Sequence, residues 1–203
     1  MMVLYHGSNT GGIKTLEPRL ADHERPYVYL STIEIVAGFY MINAVSRPYY
    51  WFPYGFGKDG TVEYHELFPG ALREAAEGKS GFIYMINAQQ SAILPFKNIP
   101  CARLGTAPME VVSCSEIADC YAWLLNQRDQ GAFRLMPFEE KSPEELAYWY
   151  DMIFHYIAGK NMIETPDCSY AVFVKRKFHA VWDRYESECA RGKQAKQKEK
   201  TAE

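Results

Sequence analysis

The chain has 203 residues, 48% of them hydrophobic and 15% aromatic, which is enough for the core of one large domain or of one domain with a helical appendage. Its 22 basic and 25 acidic residues give a formal charge of −3, so there is no excess positive field and nucleic acid is disfavoured as a partner. The five cysteines are odd in number and form no Cys-x-x-Cys pair, which predicts reduced thiols.

The N-terminus has neither the charged segment nor the apolar segment of a signal peptide. No apolar run approaches the roughly 18 residues that a membrane span needs. We therefore expect a cytoplasmic protein with no membrane partner.

Short strands are predicted for most of the first 127 residues. Residues 3–6 form an apolar and aromatic run closed by a Gly/Ser/Asn cluster, which is typical of a strand that ends in a loop. Residues 27–31 predict a second strand, and Ser31 or Thr32 can cap a helix over residues 33–41. Residues 48–57 hold six aromatic side chains among prolines and glycines, which suits a loop or edge strand that covers a core or rims a pocket.

Further elements follow as far as residue 127. They are a strand-like run at 61–68, a short helix at 72–77 stopped by Gly78, β-rich runs at 81–86 and 109–113, and helical spacing from 115 to 125. Several short strands with few long helices predict an α+β sheet rather than a doubly wound one.

The pattern becomes helical beyond residue 127. Ser142 as N-cap, Pro143 at the first helical position and Glu145 two positions later predict a helix start, and that helix should run to about Gly159. A second helix is predicted from about residue 165, with an apolar stripe at Tyr170, Val174, Phe178, Val181 or Trp182, and Tyr185.

Three regions are therefore expected. Residues 1–127 form the α+β domain, and residues 128–191 form a helical region packed on it. Residues 192–203 are basic, lack an apolar face and are predicted to be disordered.

The chain lacks the common nucleotide-binding, zinc-protease and serine-hydrolase motifs, namely Gly-x-Gly-x-x-Gly, Gly-x-x-x-x-Gly-Lys-Ser/Thr, His-Glu-x-x-His and Gly-x-Ser-x-Gly. Four features remain, in this order: Tyr5-His6-Gly7-Ser8 at a strand end, Tyr29 on a strand, Tyr40 on the following helix, and Glu110 at the start of a later strand.

This order resembles the ADP-ribosyltransferase superfamily, in its histidine–tyrosine–glutamate branch, which includes diphtheria-toxin-like toxins and poly-ADP-ribose polymerases. Tyr29 and Tyr40 match that branch's eleven-residue interval between two tyrosines, and Met109-Glu110-Val111-Val112 matches its glutamate followed by a strand. The match covers about residues 3–125. It implies a split antiparallel sheet with helices, whereas the helical region beyond residue 127 matches no part of the family.

The resemblance also implies NAD as a substrate and ADP-ribose transfer to an acceptor, such as a protein, or NAD hydrolysis with water as the acceptor. Gly7 would bind the nicotinamide carboxamide through its backbone, His6 the adenosine-side ribose, and Ser8 the nicotinamide ribose. Tyr29 and Tyr40 would sandwich the nicotinamide ring, and Glu110 would stabilise the oxocarbenium-like ribose. Proline at position 108, where arginine-modifying members carry a second glutamate, disfavours arginine as the acceptor.

Each of these residues also has a plain structural interpretation. A His-Gly-Ser strand end is often a capped turn, and Tyr29 and Tyr40 are two of fifteen tyrosines. Glu63 and Glu66 also lie on strand-like runs, so a glutamate on a strand does not by itself mark a site.

Two other functions stay open on the sequence. One is a non-catalytic binding module that keeps the fold and holds a protein partner with the aromatic segment 49–56. The other is a related transferase acting on a phosphorylated nucleic acid, which the negative charge disfavours. His155 and His179, each near an aspartate one helical turn away, are better explained by surface ion pairs than by a metal site.

Overall fold

The computed structural model describes residues 1–20, 25–43, 53–96 and 99–201, with the backbone alone for residues 43, 193 and 195–201. Its strands are β1 (Met2–Ser8), β2 (Thr15–Leu16), β3 (Val28–Ser31), β4 (Tyr54–Phe56), β5 (Val62–His65), β6 (Gly81–Ala88), β7 (Ile93–Pro95), β8 (Ala102–Gly105), β9 (Met109–Ile117) and β10 (Phe133–Met136). Its α-helices are α1 (Glu34–Asn43), α2 (Ala71–Ala76), α3 (Cys120–Asp129), α4 (Pro143–Gly159), α5 (Ser169–Lys177) and α6 (His179–Thr201).

Seven strands form the large sheet in the order β2-β9-β6-β1-β3-β8-β7, and every neighbouring pair is antiparallel. β1 is central, because it pairs along its whole length with β6, from Met2 opposite Ala88 to Ser8 opposite Phe82. The fold is therefore α+β, with an antiparallel seven-stranded sheet, a small second sheet and C-terminal helices, as the sequence predicts.

The second sheet joins the two halves of the chain. It has the order β10-β5-β4, with β10 parallel to β5 and β4 antiparallel to it. The region 128–191, predicted to be helical, thus contributes a strand that lies beside the middle of the chain. Phe133 on β10 is buried and packs edge-to-face on Phe39 of α1, with 5.5 Å between ring centroids. Burial of this aromatic side chain anchors the strand.

The start of α4 is formed as predicted. The Ser142 side chain accepts a hydrogen bond from the Glu145 backbone N–H, and the Glu145 carboxylate accepts one from the Ser142 backbone N–H. This reciprocal capping satisfies two of the donors that a helix start leaves free. The helix ends at Gly159, also as predicted.

Several predicted boundaries differ from the structure. β9 continues to Ile117 through residues predicted to be helical, and α3 begins after Asp119, whose carboxylate accepts a hydrogen bond from Ala122 N. The last predicted helix is interrupted at Phe178, which separates α5 from α6. The tail from Gly192, predicted to be disordered, has helical backbone as far as Thr201, since its Ala, Lys, Gln and Glu residues favour helix even without an apolar face.

Two apolar cores lie against the large sheet. The larger one contains the buried side of α1 and continues without interruption into α4, α5 and α6; its members include Phe39, Ile83, Leu124, Phe133, Ile157 and Val174. The smaller one lies on the other face of the sheet and includes Leu4, Leu30, Ile86 and Met109. Because the larger core is shared, the C-terminal helices pack with α1 and the large sheet.

Among the described residues, no helix is both long and apolar enough to cross a membrane.

Candidate functional site

The ladder between β1 and β3 is interrupted beside the His-Gly-Ser motif. Within the described residues, these two strands share a single register pair, Tyr5 opposite Ser31. Beyond Tyr5, β1 continues for three residues without a ladder partner on its β3 side. The His6 ring occupies this position instead, with Nδ1 2.8 Å from the carbonyl oxygen of Tyr29. The two strands therefore diverge at the motif, with His6 bridging them.

The His6 imidazole is held in its neutral form. Burial lowers its pKa from the ordinary value of 6.5, the hydrogen bond with the Tyr29 carbonyl opposes that shift, and the nearby Arg19 charge adds to it. Since a carbonyl only accepts, Nδ1 carries the proton and Nε2 keeps its lone pair. His6 can thus accept a hydrogen bond from a hydroxyl group at the gap.

Gly7 lies in direct contact with α1. A Cβ atom at this position would lie 1.9 Å from the carbonyl oxygen of Ala37 and 2.6 Å from the backbone nitrogen of Met41. Both are backbone atoms, so the helix cannot accommodate a side chain here without moving. The glycine, which is buried, therefore has a packing role.

Ser8 ends β1 and starts the following turn. Its Oγ accepts a hydrogen bond from the backbone nitrogen of Thr10 at 3.1 Å. The Tyr84 hydroxyl donates to the Thr10 carbonyl oxygen at 2.7 Å and accepts from Ile13 N at 3.3 Å. Residues 10–13 are thereby fastened over β6. Ser8 is nearly buried, which agrees with the plain interpretation of a capped turn.

Strand alternation assigns these side chains to faces of the large sheet. We call the side on which α1 packs the helix face. Ser31 is opposite Tyr5, so both side chains are on one face, and Tyr29 shares it because it is two residues from Ser31. Gly7, two residues from Tyr5, presents the same face to α1. Gly7 and the Tyr29 side chain are therefore on the helix face.

The same reasoning assigns Glu110. On β9, Val111 is opposite Ile86, which is opposite Leu4 on β1, so Val111 shares a face with Leu4 and His6. Glu110 is adjacent to Val111 and therefore lies on the opposite face, the helix face. Glu110 is thus on the same face of the sheet as the Tyr29 side chain and α1, at the level of Val3 along the strands, and His6 points to the other face.

Glu110 is exposed at the start of β9. Its carboxylate accepts a hydrogen bond from the Thr15 hydroxyl at 3.2 Å, and Thr15 is opposite Glu110 in the β2–β9 ladder. One strand, β6, lies between β9 and β1, the strand that carries His6. The carboxylate is consequently open to solvent on the helix face of the sheet, with its orientation set by Thr15.

Tyr40 is 46% exposed although α1 is otherwise largely buried. Its ring packs edge-to-face on Tyr54 of β4, with 6.3 Å between centroids, and the two hydroxyl oxygens are 3.4 Å apart. The pKa of Tyr54 is raised, mainly by burial and to a smaller extent by the nearby Tyr40 hydroxyl, so this phenol stays protonated. With respect to the part of the chain that the structure describes, Tyr40 therefore presents a half-exposed aromatic surface on which a planar ligand can stack.

Comparisons of the chain with protein-family models, with curated proteins and with solved structures gave no match.

Tyr54 is the site residue that the sequence did not single out. It lies in the aromatic segment 48–57, but nothing in that segment distinguishes the ring that supports Tyr40 from the others. Residues 48–52 of the segment lie outside the described residues, and Tyr54–Phe56 form β4. The protein-binding role considered for this segment stays a prediction.

The alternative glutamates have structural partners. Glu66 is buried, and its carboxylate accepts a hydrogen bond from Leu72 N at the start of α2. Glu63 forms a salt bridge with Arg134 of β10 at 2.6 Å. Asp151, near His155, pairs with Arg184 of α6, and among the described residues no group of three potential metal ligands is found.

Proposed function

We propose that this protein binds NAD at the gap between β1 and β3 and transfers ADP-ribose from it to an acceptor, or to water. The observation that carries the proposal is the interrupted ladder beside Gly7, bridged by the hydrogen bond between His6 and the Tyr29 carbonyl. A β1 backbone without a ladder partner on its β3 side can bind an amide such as the nicotinamide carboxamide.

The helix face supplies the groups that cleavage of NAD needs. Nicotinamide leaves as a planar neutral ring while positive charge develops on the ribose, so the site requires an aromatic surface and a carboxylate. Gly7, Tyr29 and Glu110 share this face by strand alternation, and Tyr40 is on the helix that covers part of it. Nicotinamide would bind beside Gly7 and stack between Tyr29 and Tyr40, as the family resemblance implies.

Glu110 would act on the nicotinamide ribose. In this step the bond between ribose C1′ and the nicotinamide nitrogen breaks, and its electron pair leaves with nicotinamide. The Glu110 carboxylate would accept a hydrogen bond from a ribose hydroxyl and stabilise the cationic sugar. The acceptor then bonds to C1′ and loses its proton to solvent.

His6 and Ser8 would act from the other side of the gap. The Nε2 lone pair of His6 would accept a hydrogen bond from the adenosine-side ribose, while Nδ1 keeps β3 in position through Tyr29. Ser8 would assist on the nicotinamide ribose with its hydroxyl hydrogen, because its oxygen already accepts from Thr10 N. On this proposal the sheet is the split antiparallel sheet of an ADP-ribosyltransferase-like fold.

The test is nicotinamide release from NAD, measured by chromatography. We expect release by the natural protein and a loss of about 100-fold or more in Glu110→Gln, which keeps the shape of the side chain but removes its charge. Glu116→Gln is the matched control, since Glu116 is also exposed on β9 but shares the face of Phe82 and Ser8. Equal release by the two variants would contradict the assignment of Glu110.

Tyr40→Ala tests the stacking surface in the same assay. We expect weaker NAD binding, seen as a KM raised about tenfold, because one aromatic wall is lost. Tyr148→Ala, which removes an exposed tyrosine from α4, should leave KM unchanged. The proposed function is wrong if two results are found together. The first is that neither the natural protein nor its variants release nicotinamide from NAD with any acceptor mixture, and the second is that NAD does not shift the melting temperature of the protein.

A further inference from the structure

An apolar ridge runs along the exposed side of α4. Its members Tyr148, Met152 and Tyr156 are spaced four residues apart and are 61%, 46% and 45% exposed. Residues spaced in this way lie side by side on a helix surface. We call these three residues the α4 ridge.

Most of the ridge is separate from the side of α4 that packs on the protein, although the ring of Tyr156 also contacts Tyr170 of α5, with 5.1 Å between ring centroids. Ile153, Phe154 and Ile157 bury the inner side of the helix in the large core. Asp151, beside the ridge, is already paired with Arg184 of α6, whose guanidinium also lies 4.1 Å from the centroid of the Phe154 ring. The ridge thus projects from a helix whose inner side is packed in the core and whose Asp151 is paired with α6.

The ridge is symmetric about Met152. Tyr148 precedes Met152 by four residues and Tyr156 follows it by four. Two copies of α4 that cross antiparallel about a twofold axis at Met152 therefore place Tyr148 of each copy beside Tyr156 of the other. The i±4 rows of two helices pack against one another in the commonest class of helix contact.

The charges at the two ends of the ridge are also complementary under this symmetry. Glu144 lies eight residues before Met152 and Lys160 eight residues after it, each about 12 Å along the helix axis. Both are exposed. A twofold axis at Met152 brings the acidic end of one ridge toward the basic end of the other, whereas a parallel arrangement would bring like charges together.

We propose that the α4 ridge is the interface of a homodimer, in which two α4 helices pack antiparallel about Met152. The partner is a second copy of this chain, because the order acid, tyrosine, methionine, tyrosine, base is its own complement when reversed. The proposal is independent of the proposed enzymatic function.

Sedimentation velocity over a wide range of concentrations tests the dimer. We expect a monomer–dimer equilibrium whose dissociation constant rises about tenfold or more in Met152→Glu, because two carboxylates would meet at the axis. Val172→Glu is the matched control, since Val172 is 47% exposed on α5 outside the ridge, and it should leave the dissociation constant unchanged.

A charge exchange tests the orientation. Glu144→Lys and Lys160→Glu should each weaken the dimer, and the double variant should restore it, since the exchanged charges again oppose each other across the axis. A double variant weaker than both single variants would overturn the antiparallel arrangement.

Cross-linking gives an independent measurement. Its expected result is the formation of a linked dimer, which is a gain that misfolding of a variant would not explain. In a Cys114→Ser background, which removes the exposed native thiol, Met152→Cys should form a disulfide-linked dimer under mild oxidation, and Val172→Cys should not. A chain that stays monomeric at all concentrations would overturn the proposal. Protection of Met152 from peroxide in that monomer would show that another segment of the same chain covers the ridge.

Discussion

The His6 imidazole donates from Nδ1 to the carbonyl oxygen of Tyr29, at 2.8 Å, where β1 and β3 cease to pair. This one side chain replaces the ladder hydrogen bonds that the next register pairs would have made. It keeps the two strands at a fixed separation while leaving a gap between them. A folded β-sheet seldom leaves a central ladder open, so the gap is the feature of this sheet that most requires an explanation.

His6 should make stability depend on pH. Its pKa is lowered on folding, so below the ordinary value of 6.5 the unfolded chain takes up a proton that the folded chain does not. The contribution of neutral His6 to the stability of the folded chain is therefore fully present above pH 6.5, and it is lost as the pH falls toward the lowered pKa. His6→Asn keeps an N–H donor but does not titrate, so its urea midpoint should fall less than that of the natural protein between about pH 7.5 and 5.

His65 provides a comparison for that measurement. Burial also lowers its pKa, with the charge of Lys141 acting in the same direction, and Lys141 Nζ lies 3.0 Å from His65 Nδ1. His65→Asn should therefore reduce the pH dependence as well. Because His6 and His65 lie on different sheets, the two reductions should add in the double variant. An unchanged pH dependence in both single variants would contradict the burial argument.

Gly7→Ala should be strongly destabilising. The added methyl group would meet the backbone of α1 at Ala37 and Met41, so the helix must shift away from β1. We expect a loss of about 3 kcal/mol in the free energy of unfolding, measured with urea. Gly159→Ala at the end of α4 has nothing within 4 Å and should be neutral or slightly stabilising. A Gly7→Ala variant as stable as the natural protein would show that α1 can move.

Glu66 should have a pH dependence of the opposite sign. Burial raises the pKa of this carboxyl above its ordinary value of 4.5, although the hydrogen bond from Leu72 N partly opposes the shift. Its ionisation therefore costs stability as the pH rises through the raised pKa. Glu66→Gln keeps an oxygen acceptor for Leu72 N and should gain stability relative to the natural protein at pH 7 but not at pH 4.

Glu66→Ala separates the hydrogen bond from the charge. This substitution leaves the N–H of Leu72 without this acceptor. It should therefore lower the free energy of unfolding, measured with urea, by about 1–3 kcal/mol at both pH 7 and pH 4. If Glu66→Gln and Glu66→Ala are equally stable, the bond to Leu72 has no role in fixing the start of α2.

Phe133→Ala should show that β10 holds the two halves of the chain together. Phe133 is fully buried in the larger core and contacts Phe39 of α1, so its truncation should lower the free energy of unfolding by about 3–5 kcal/mol. Phe56→Ala, at a 36% exposed position of β4, should lower the free energy of unfolding much less.

Differential scanning calorimetry should also show one transition in the natural protein, whereas two separate transitions would mean that residues 1–127 fold independently.

Local signals in the sequence predicted the elements that are set by local chemistry. The Ser142–Glu145 capping box and the buried stripe from Tyr170 to Tyr185 are both present, because caps and apolar periodicity act over a few residues. The short strand β10 was missed because its stability comes from parallel pairing with β5, about 70 residues earlier in the chain. The helical backbone of the tail does not follow from the apolar pattern, because a long helix can continue on the propensity of its residues without an apolar face.

The candidate site was predictable in residue types but not in arrangement. Spacing alone cannot say which face of a sheet a strand residue occupies, because a one-residue bulge reverses the assignment. Here the register of β9 shifts at the pair Met85/Ile86, and that shift decides that Glu110 and His6 point to opposite faces. The packing of Tyr40 on Tyr54 depends on contact between a helix and a strand that no local pattern encodes.

The most direct test of the central claim is a crystal structure of the protein with NAD bound. We predict nicotinamide beside the Gly7 backbone at the β1–β3 gap, with its ring against Tyr40 and a ribose hydroxyl within hydrogen-bond distance of Glu110. NAD bound elsewhere on the molecule, or a gap that stays closed to it at saturating concentration, would contradict the proposed function.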